Sequence, residues 1–185
     1  MRLQILQLAL AAVCSTAATA KIPFYIIHNA ETPSFGRPGL TPVGKQRADC
    51  CIPNVFSDWN IGLILTCTVD RDGKEGLNCP AANRTAFPLA QSLGINIATC
   101  ATGDGADDDC PSNTIKKFNK SSNQSVLIVW DSTDLEDLLE NVDTDASLDN
   151  DSLGLHADLI LSVNPAKLKS VGQSSMNCTG LDGTA

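Results

Sequence analysis

Five continuous apolar runs do most to limit what this chain of 185 residues can fold into. The runs do not alternate apolar with polar residues, which is typical of strands covered on both faces of a sheet. Parallel strands of that kind need a crossover, usually a helix, between them. The predicted strands are Phe24–His28, Gly62–Cys67, Ile95–Thr99, Val126–Trp130 and Ala157–Val163.

Helix-like segments separate these runs. Thr41 and Pro42 form a cap and a first helical position, and Gly94 is placed to end a later helix. Because strands and helices alternate, we expect an α/β fold: a three-layer α/β/α sandwich with a mainly parallel central sheet. The predicted helices are Pro42–Val55, Asn83–Leu93, Asn113–Asn119 and Ser132–Val142.

The first 20 residues have the pattern of a secretory signal peptide. Arg2 gives a positive start, residues 3–13 are mostly apolar, and Ala18-Thr19-Ala20 is a small-residue cleavage site. The apolar stretch is too short to span a bilayer, and a buried first helix is the alternative interpretation. We therefore expect a secreted, extracellular protein with no membrane span.

The remaining chain is predicted to hold one α/β domain over residues 21–165. The segment 166–185 is expected to be an extended C-terminal tail, which Cys178 could attach to the domain. A chain of this length can bury one sizeable core and little more.

In a secreted chain, cysteines are expected to form disulfides, and no zinc-type spacing with paired histidines occurs. Outside the predicted signal there are seven, so one is left over. Cys100 and Cys110 flank a short loop and are the easiest pair to close. The further predicted pairs are Cys67 with Cys79, and Cys178 with Cys50 or Cys51, of which we take Cys50.

The chain is acidic, with a formal net charge of −8. Nucleic acids and anionic lipids need clustered lysine and arginine, so we expect neither as a partner. The one basic cluster, formed by Lys116, Lys117 and Lys120, is interpreted as the solvated face of a helix. Glycosylation sequons are consistent with secretion, and the predicted acceptors are Asn83, Asn119, Asn123 and Asn150; Asn177 precedes Cys178 and is the weakest candidate.

Two neighbouring motifs carry a family resemblance. Phe24–Pro33 is an apolar strand that ends in the polar turn His28-Asn29-Ala30-Glu31, and Gly39–Ala48 contains a helix start with the order Leu-Thr-x-x-Gly-x-Gln. This layout resembles the phosphoglycerate-mutase-like (histidine phosphatase) superfamily, especially its small secreted fungal members. Their strand ends in Arg-His-Gly-Glu, and Leu-Thr-x-x-Gly-x-x-Gln-Ala follows. The resemblance runs from Phe24 to the neighbourhood of Cys178.

The resemblance implies where the reactive groups of the family would fall. Family members use a strand-end histidine as nucleophile, with two arginines and a second histidine around the phosphate. The nucleophile falls on Asn29, the first arginine on His28, and the second arginine on Ala81. The second histidine falls on Ser132, because Trp130-Asp131-Ser132 replaces the family's Trp-Glu-His-like motif. Arg84 is near Ala81 in sequence but is expected to point elsewhere on its helix.

A shift of one residue would place His28 on the nucleophile instead. That shift would put Ile27 on the arginine position and misplace Glu31, and strand register fixes the face that each side chain occupies. His28 and Glu31 are therefore the catalytic candidates of this alternative. Under the unshifted alignment, a remnant polar pocket would contain His28, Asn29, Glu31, Arg84 and Ser132.

Other motifs offer no further chemistry. Residues 143–154 begin like a calcium loop but lack its glycine and its closing glutamate, and His156 has no motif around it. No P-loop, dinucleotide fingerprint or Gly-x-Ser-x-Gly occurs, so we expect no cofactor and no metal.

The sequence thus favours a secreted, disulfide-bonded protein that has the family's frame and has lost its phosphohydrolase activity. Its role would be non-catalytic binding, structural or effector-like, toward an unknown extracellular partner or small ligand. An active extracellular phosphomonoesterase that uses His28 is the alternative. A pocket that holds a phosphorylated or sugar-like ligand without turnover is a third hypothesis.

Overall fold

The computed structural model of the protein describes residues 22–34, 39–69, 76–142, 157–164 and 171–181. The predicted signal peptide, the sequon at Asn150, the loop from Asp143 and His156 lie outside the described residues. No helix in these described ranges is long and apolar enough to cross a membrane.

The described residues form a mixed six-stranded sheet in the order β3-β2-β4-β1-β5-β6. β1 to β4 are mutually parallel; at one side β5 pairs antiparallel with β1, and β6 pairs antiparallel with β5. The five predicted strands are present with shifts of up to two residues at their ends. The strands are β1 (Phe24–His28), β2 (Ile61–Thr68), β3 (Ile97–Ala101), β4 (Ser125–Trp130), β5 (Leu159–Val163) and β6 (Val171–Ser175).

β4 lies inside the sheet, between β2 and β1, and all six of its residues are buried. It pairs with β1 on one side, from Phe24 opposite Val126 to His28 opposite Trp130, and with β2 on the other. Burial of a whole strand requires cover on both faces. The continuous apolar run Val126–Trp130 therefore correctly predicted that β4 is a strand covered on both faces.

Helices supply that cover. Right-handed crossovers place the helices between β1 and β3 on one face and the helix between β3 and β4 on the other, because the direction of travel across the sheet reverses. In agreement, α3 packs against the turn before α2, and α4 packs against α5. The predicted α/β layering is confirmed. The helices are α1 (Pro42–Gln46), α2 (Ile52–Phe56), α3 (Cys79–Leu93), α4 (Cys110–Asn119) and α5 (Leu135–Asn141).

The first predicted helix is interrupted by a π-helical turn over Arg47–Cys51. Proline has no N–H, so Pro53 cannot donate to the carbonyl of Asp49 four residues earlier. The turn widens there, and the N–H of Ile52 bonds to the carbonyl of Arg47, five residues back. One predicted helix is thus three consecutive segments.

The predicted C-terminal tail contains a strand that the sequence did not reveal. Val171–Ser175 forms β6, which pairs antiparallel with β5 and joins the sheet of the main domain. Residues 171–175 of the predicted tail are thus part of the same sheet as β1 to β5. Its residues are mostly exposed and polar. An edge strand of this kind has no apolar run to announce it.

Within the described ranges, three disulfides connect the layers: Cys51–Cys178, Cys67–Cys79 and Cys100–Cys110. The pairing of Cys178 with Cys50 was wrong, since Cys50 is exposed and unpaired. Successive residues of a helical turn point in different directions. Cys51 faces Cys178, with their Cα atoms 5.6 Å apart, and Cys50 therefore faces solvent.

The long-range bridge should stabilise the fold more than the short ones do. Cys51–Cys178 closes 127 residues and Cys100–Cys110 closes 10. Restricting the unfolded chain predicts losses of about 5 and about 3 kcal/mol in the free energy of unfolding when each pair is replaced by alanine. Urea denaturation of the two double variants would measure this difference.

The matched control is Cys50→Ala, which should leave the free energy of unfolding within about 0.5 kcal/mol of the original value. Peptide mapping under non-reducing conditions would identify the pairs. A Cys50–Cys178 peptide from the unmodified chain would contradict the assignment.

Candidate functional site

The carboxyl ends of parallel strands share one edge of the sheet, and this edge gathers the residues singled out by the family resemblance. Asn29–Glu31 follow β1, and Asp131 and Ser132 follow β4 directly. In open α/β sheets this is the edge where ligands bind. A ligand bound to this fold would therefore meet the side chains at this edge.

Asn29 joins the ends of β1 and β4. Its backbone N–H donates to the carbonyl of Trp130 at 2.9 Å, and its Oδ1 accepts from the N–H of Ser132 at 3.1 Å. Its Nδ2 donates to the carbonyl of Ala30 at 3.1 Å, and the residue is only 4% exposed. Asn29 and Ser132 do come together, but through a structural amide and a backbone N–H.

His28 is half-buried at the last position of β1. Its Nδ1 lies 2.7 Å from the carbonyl oxygen of Asn29. A carbonyl can only accept, so Nδ1 carries the proton and, in the neutral ring, Nε2 keeps a lone pair. Nε2 is buried and has no hydrogen-bond partner among the described residues. The neutral Nε2 thus keeps the lone pair that a nucleophile needs, but solvent does not reach it.

Glu31 is held by Arg47, a residue to which the sequence analysis gave no role. The Arg47 Nη2 donates to Oε1 at 2.8 Å, and Nε lies 3.1 and 3.2 Å from the two carboxylate oxygens. Arg47 is 3% exposed. Burial raises the pKa of Glu31, but the Arg47 hydrogen bond, a backbone hydrogen bond and the positive charge of Arg47 lower it by more than burial raises it. His28 adds to this lowering when its ring is protonated, and the pKa of Glu31 lies below the ordinary value.

Arg84 lies apart from this edge. It is exposed on α3 and lines a groove that contains none of His28, Asn29, Glu31 or Ser132. Ala81, at the position that the resemblance gives to the second arginine, is buried and its carbonyl accepts the hydroxyl of Thr85 at 2.8 Å. The predicted remnant pocket therefore loses Arg84.

Thr85 fastens α3 to the turn after β1. Its hydroxyl oxygen accepts from the N–H of Ala30 at 2.9 Å while the hydroxyl donates to Ala81. On the other side of the turn, the N–H of Thr41 donates to the carbonyl of Glu31 at 2.8 Å. Gly44 is required there, because a Cβ would lie 2.3 Å from the same oxygen. The turn is thus gripped by two helices.

Asp131 organises the loop after β4. Its carboxylate accepts from the N–H and Nδ2 of Asn78 at 2.9 and 3.0 Å, and from the N–H and hydroxyl of Thr133 at 2.9 and 2.8 Å. The residue is fully buried. In the sequence, Asp131 stands out only as part of the Trp130-Asp131-Ser132 motif. An aspartate directly after a buried strand was the available signal for its role.

Asp134 is a second aspartate in the loop after β4. It accepts from the Trp130 indole N–H at 2.8 Å. Burial raises the pKa of Asp134 to about 6; the Trp130 hydrogen bond opposes that rise, and the carboxylates of Asp137 and Asp131 add to it.

The polar groups at this edge mostly bind one another. Asn29, Glu31 and Asp131 each have protein partners at hydrogen-bond distance. Among the described residues, no group of three or more His, Cys, Asp or Glu side chains could hold a metal ion. The arrangement is suited to holding loops together.

No family model matches the sequence, and no curated protein matches it. Two similar solved structures are both provisionally assigned as the phosphohistidine phosphatase SixA. The one from Nakamurella multipartitia has 15% identity, a TM-score of 0.47, and coverage of 83% of this chain and 92% of its own. The one from Agrobacterium tumefaciens has 16% identity, a TM-score of 0.44, and coverage of 77% and 91%.

The Asn29 amide should contribute measurably to stability. Asn29→Ala leaves the N–H of Ser132 and the carbonyl of Ala30 without partners, which should lower the free energy of unfolding by about 1–3 kcal/mol. Ser132→Ala is the matched control, because Ser132 contributes its backbone N–H; its effect should stay within about 0.5 kcal/mol. Equal losses in the two variants, measured by urea denaturation, would contradict the assignment.

Asp134→Asn should stabilise the protein at pH 7. The folded-state pKa of Asp134 is about 6 against an ordinary 3.8, so the folded state holds a proton that the unfolded state releases, and stability falls as pH rises through this window. Asparagine cannot ionise and can still accept from Trp130. Denaturation at pH 7, 5.5 and 4 should show an advantage that disappears toward pH 4. A difference independent of pH would exclude titration as its cause.

Proposed function

We propose that this chain is a secreted, non-catalytic protein built on a phosphoglycerate-mutase-like frame, with a binding, structural or effector-like role outside the cell. The observation that carries the proposal is the Asn29 amide. It stands where the resemblance puts the nucleophile, and both of its polar atoms bind backbone groups at the ends of β1 and β4.

An amide in this setting cannot act as a phosphoryl acceptor. The family chemistry needs an imidazole lone pair that can attack phosphorus and later release it. The amide nitrogen of Asn29 has its lone pair delocalised, and its N–H group is donated to Ala30. At 4% exposure the residue also offers no surface to a substrate.

The charges that a phosphoryl group requires are also missing from the matched positions. A transferring phosphoryl group is stabilised by guanidinium groups that donate two hydrogen bonds each. Ala81 is buried and has no charged group, and Ser132 supplies only its backbone N–H to this edge. The guanidinium of Arg47 is near, but the Glu31 carboxylate neutralises it. Transition-state stabilisation is lost together with the nucleophile.

The disulfides support the extracellular part of the proposal. Three cysteine pairs lie at bonding distance. Such bonds form and persist in oxidising compartments and are rare where thiols are kept reduced. The pattern of residues 1–20 and the sequons point in the same direction.

A second candidate function is an extracellular phosphomonoesterase in which His28 is the nucleophile. One observation favours it: the Nδ1 proton is donated to the Asn29 carbonyl, which leaves the Nε2 lone pair available as a nucleophile needs. Against it, Nε2 is buried. A substrate would reach it only after the surrounding loops moved.

Assays with a generic phosphomonoester, such as para-nitrophenyl phosphate, would separate the two. We expect the purified mature protein to hydrolyse it no faster than buffer, because nucleophile and guanidinium groups are absent together. We also expect no acid-labile phosphate on the protein after brief exposure to radiolabelled substrate.

The matched control is His28→Ala, prepared in parallel. Turnover that disappears in this variant, together with phosphohistidine at His28, would overturn the non-catalytic proposal and establish the alternative. Turnover that persists unchanged in the variant would indicate a contaminating phosphatase. A refolding check by circular dichroism would show that the variant keeps its fold.

A further inference from the structure

A groove on the outer side of α3 is separate from the strand edge. It has a volume of about 360 Å³ and runs between α3 and the segment that leads into α1. Its apolar part is formed by Leu40, Phe87 and Pro88. Its polar rim contains Arg84 and the ion pair of Lys45 with Asp49. We call this concavity the α3 groove.

Asn83 lies in the lining of the α3 groove and begins the sequon Asn83-Arg84-Thr85. The side chain is half-buried and has no hydrogen-bond partner within the described part of the chain. The amide nitrogen of Asn83, which receives the sugar in N-glycosylation, is thus available for a covalent bond. A sugar attached there would lie in the groove.

Phe87 is the second observation at this place. It is 51% exposed, although large aromatic side chains are normally well buried. It follows Asn83 by four residues on α3, so the two side chains are neighbours on one helix face, with Cβ atoms about 5–6 Å apart. A sugar ring attached to Asn83 would be within reach of the face of this aromatic ring.

We propose that Asn83 carries an N-linked glycan whose first N-acetylglucosamine occupies the α3 groove and covers the Phe87 ring. The apolar face of the sugar would pack on Phe87, Leu40 and Pro88. Its hydroxyl and acetamide groups would face Arg84 and the Lys45–Asp49 pair at the rim. This inference rests on the secretion in the proposed function.

The bond forms by group transfer from a lipid-linked oligosaccharide in the secretory compartment. The Asn83 Nδ2 bonds to the anomeric carbon of the first sugar, and the bond from that carbon to the lipid diphosphate breaks. The diphosphate leaves with the electron pair, and the amide proton passes to a base of the transferase. Because the Thr85 hydroxyl is fully buried in the fold, transfer has to precede the docking of α3.

The other sequons provide a comparison within the same chain. Asn123 is exposed in the turn before β4, where a glycan would project into solvent. Asn119 has a buried Oδ1 without a partner at the end of α4. Asn123 is therefore the reference site at which a glycan is expected to lack a packing surface.

The test uses the full chain secreted from a eukaryotic host. Peptide mass spectrometry, after enzymatic deglycosylation in heavy-oxygen water, should mark Asn83. Proton NMR of the glycoprotein should show one N-acetylglucosamine signal, from the ring protons of its apolar face, shifted upfield by the Phe87 ring. Phe87→Leu keeps an apolar side chain but has no ring, so the shift should be lost. Asn83→Gln should remove the same signal, and Asn123→Gln should leave it.

Stability gives an independent measurement. Phe87→Leu should raise the unfolding equilibrium constant on the order of five-fold in the glycoprotein, the scale of a stacked ring. The change should be absent in the Asn83→Gln background. Equal effects in both backgrounds would overturn the packing claim.

The outcomes separate this inference from the function on which it rests. A secreted chain modified at Asn123 and unmodified at Asn83 overturns the inference and leaves secretion intact. A chain retained in the host without any glycan overturns both. An unglycosylated groove that binds free N-acetylglucosamine oligosaccharides through Phe87 would also overturn it, and would make the groove a receptor for external sugars.

Discussion

The parallel pairing of β1 with β4 is the constraint on which the rest of the structure depends. Its register, from Phe24 opposite Val126 to His28 opposite Trp130, brings the two loop starts side by side. A slip of one residue would turn every side chain of β1 to the other face. The Asn29 amide locks this register, because it bonds the backbone of both loops at once. Thr85 then attaches α3 to the locked turn.

This locking also explains the chemistry of the edge. In an α/β enzyme, side chains at the carboxyl ends of the strands are left available for substrate. Here the Asn29 amide, the Glu31 carboxylate and the Asp131 carboxylate are all bonded to neighbouring protein groups. A buried polar network that is satisfied in this way makes a structure rigid and specific. The cost of breaking it to admit a ligand is the cost of leaving buried groups unpaired.

The sequence was informative where burial alone decides structure. Continuous apolar runs predicted five strands and the layers around them, and short spacings predicted two of the three disulfides. The sequence did not predict hydrogen bonds between distant residues. Asn29 bonds to Ser132, 103 residues away, and Arg47 bonds to Glu31, 16 residues away. No local pattern encodes such a partner. β6 was not predicted for another reason: its residues are mostly exposed and polar, so no apolar run marks it as a strand.

The choice between Cys50 and Cys51 shows the same limit on a finer scale. Both residues follow one another in a helical segment, and the side that faces Cys178 depends on the helical phase. The π-helical turn over Arg47–Cys51 changes that phase, since one more residue is accommodated per turn. The turn follows from Pro53, but its register does not follow from Pro53 alone. Side-chain direction becomes predictable only after the backbone is known.

Thr85 has one role in the folded protein and another in the unfolded chain. In the fold its hydroxyl is a clamp that accepts from Ala30 and donates to Ala81. In the unfolded chain the same hydroxyl completes the sequon of Asn83. These two uses exclude each other in time, because a transferase cannot reach a fully buried hydroxyl. If Asn83 is modified, the sugar must therefore be attached before α3 docks onto the β1 turn, and the α3 groove forms around a sugar that is already in place.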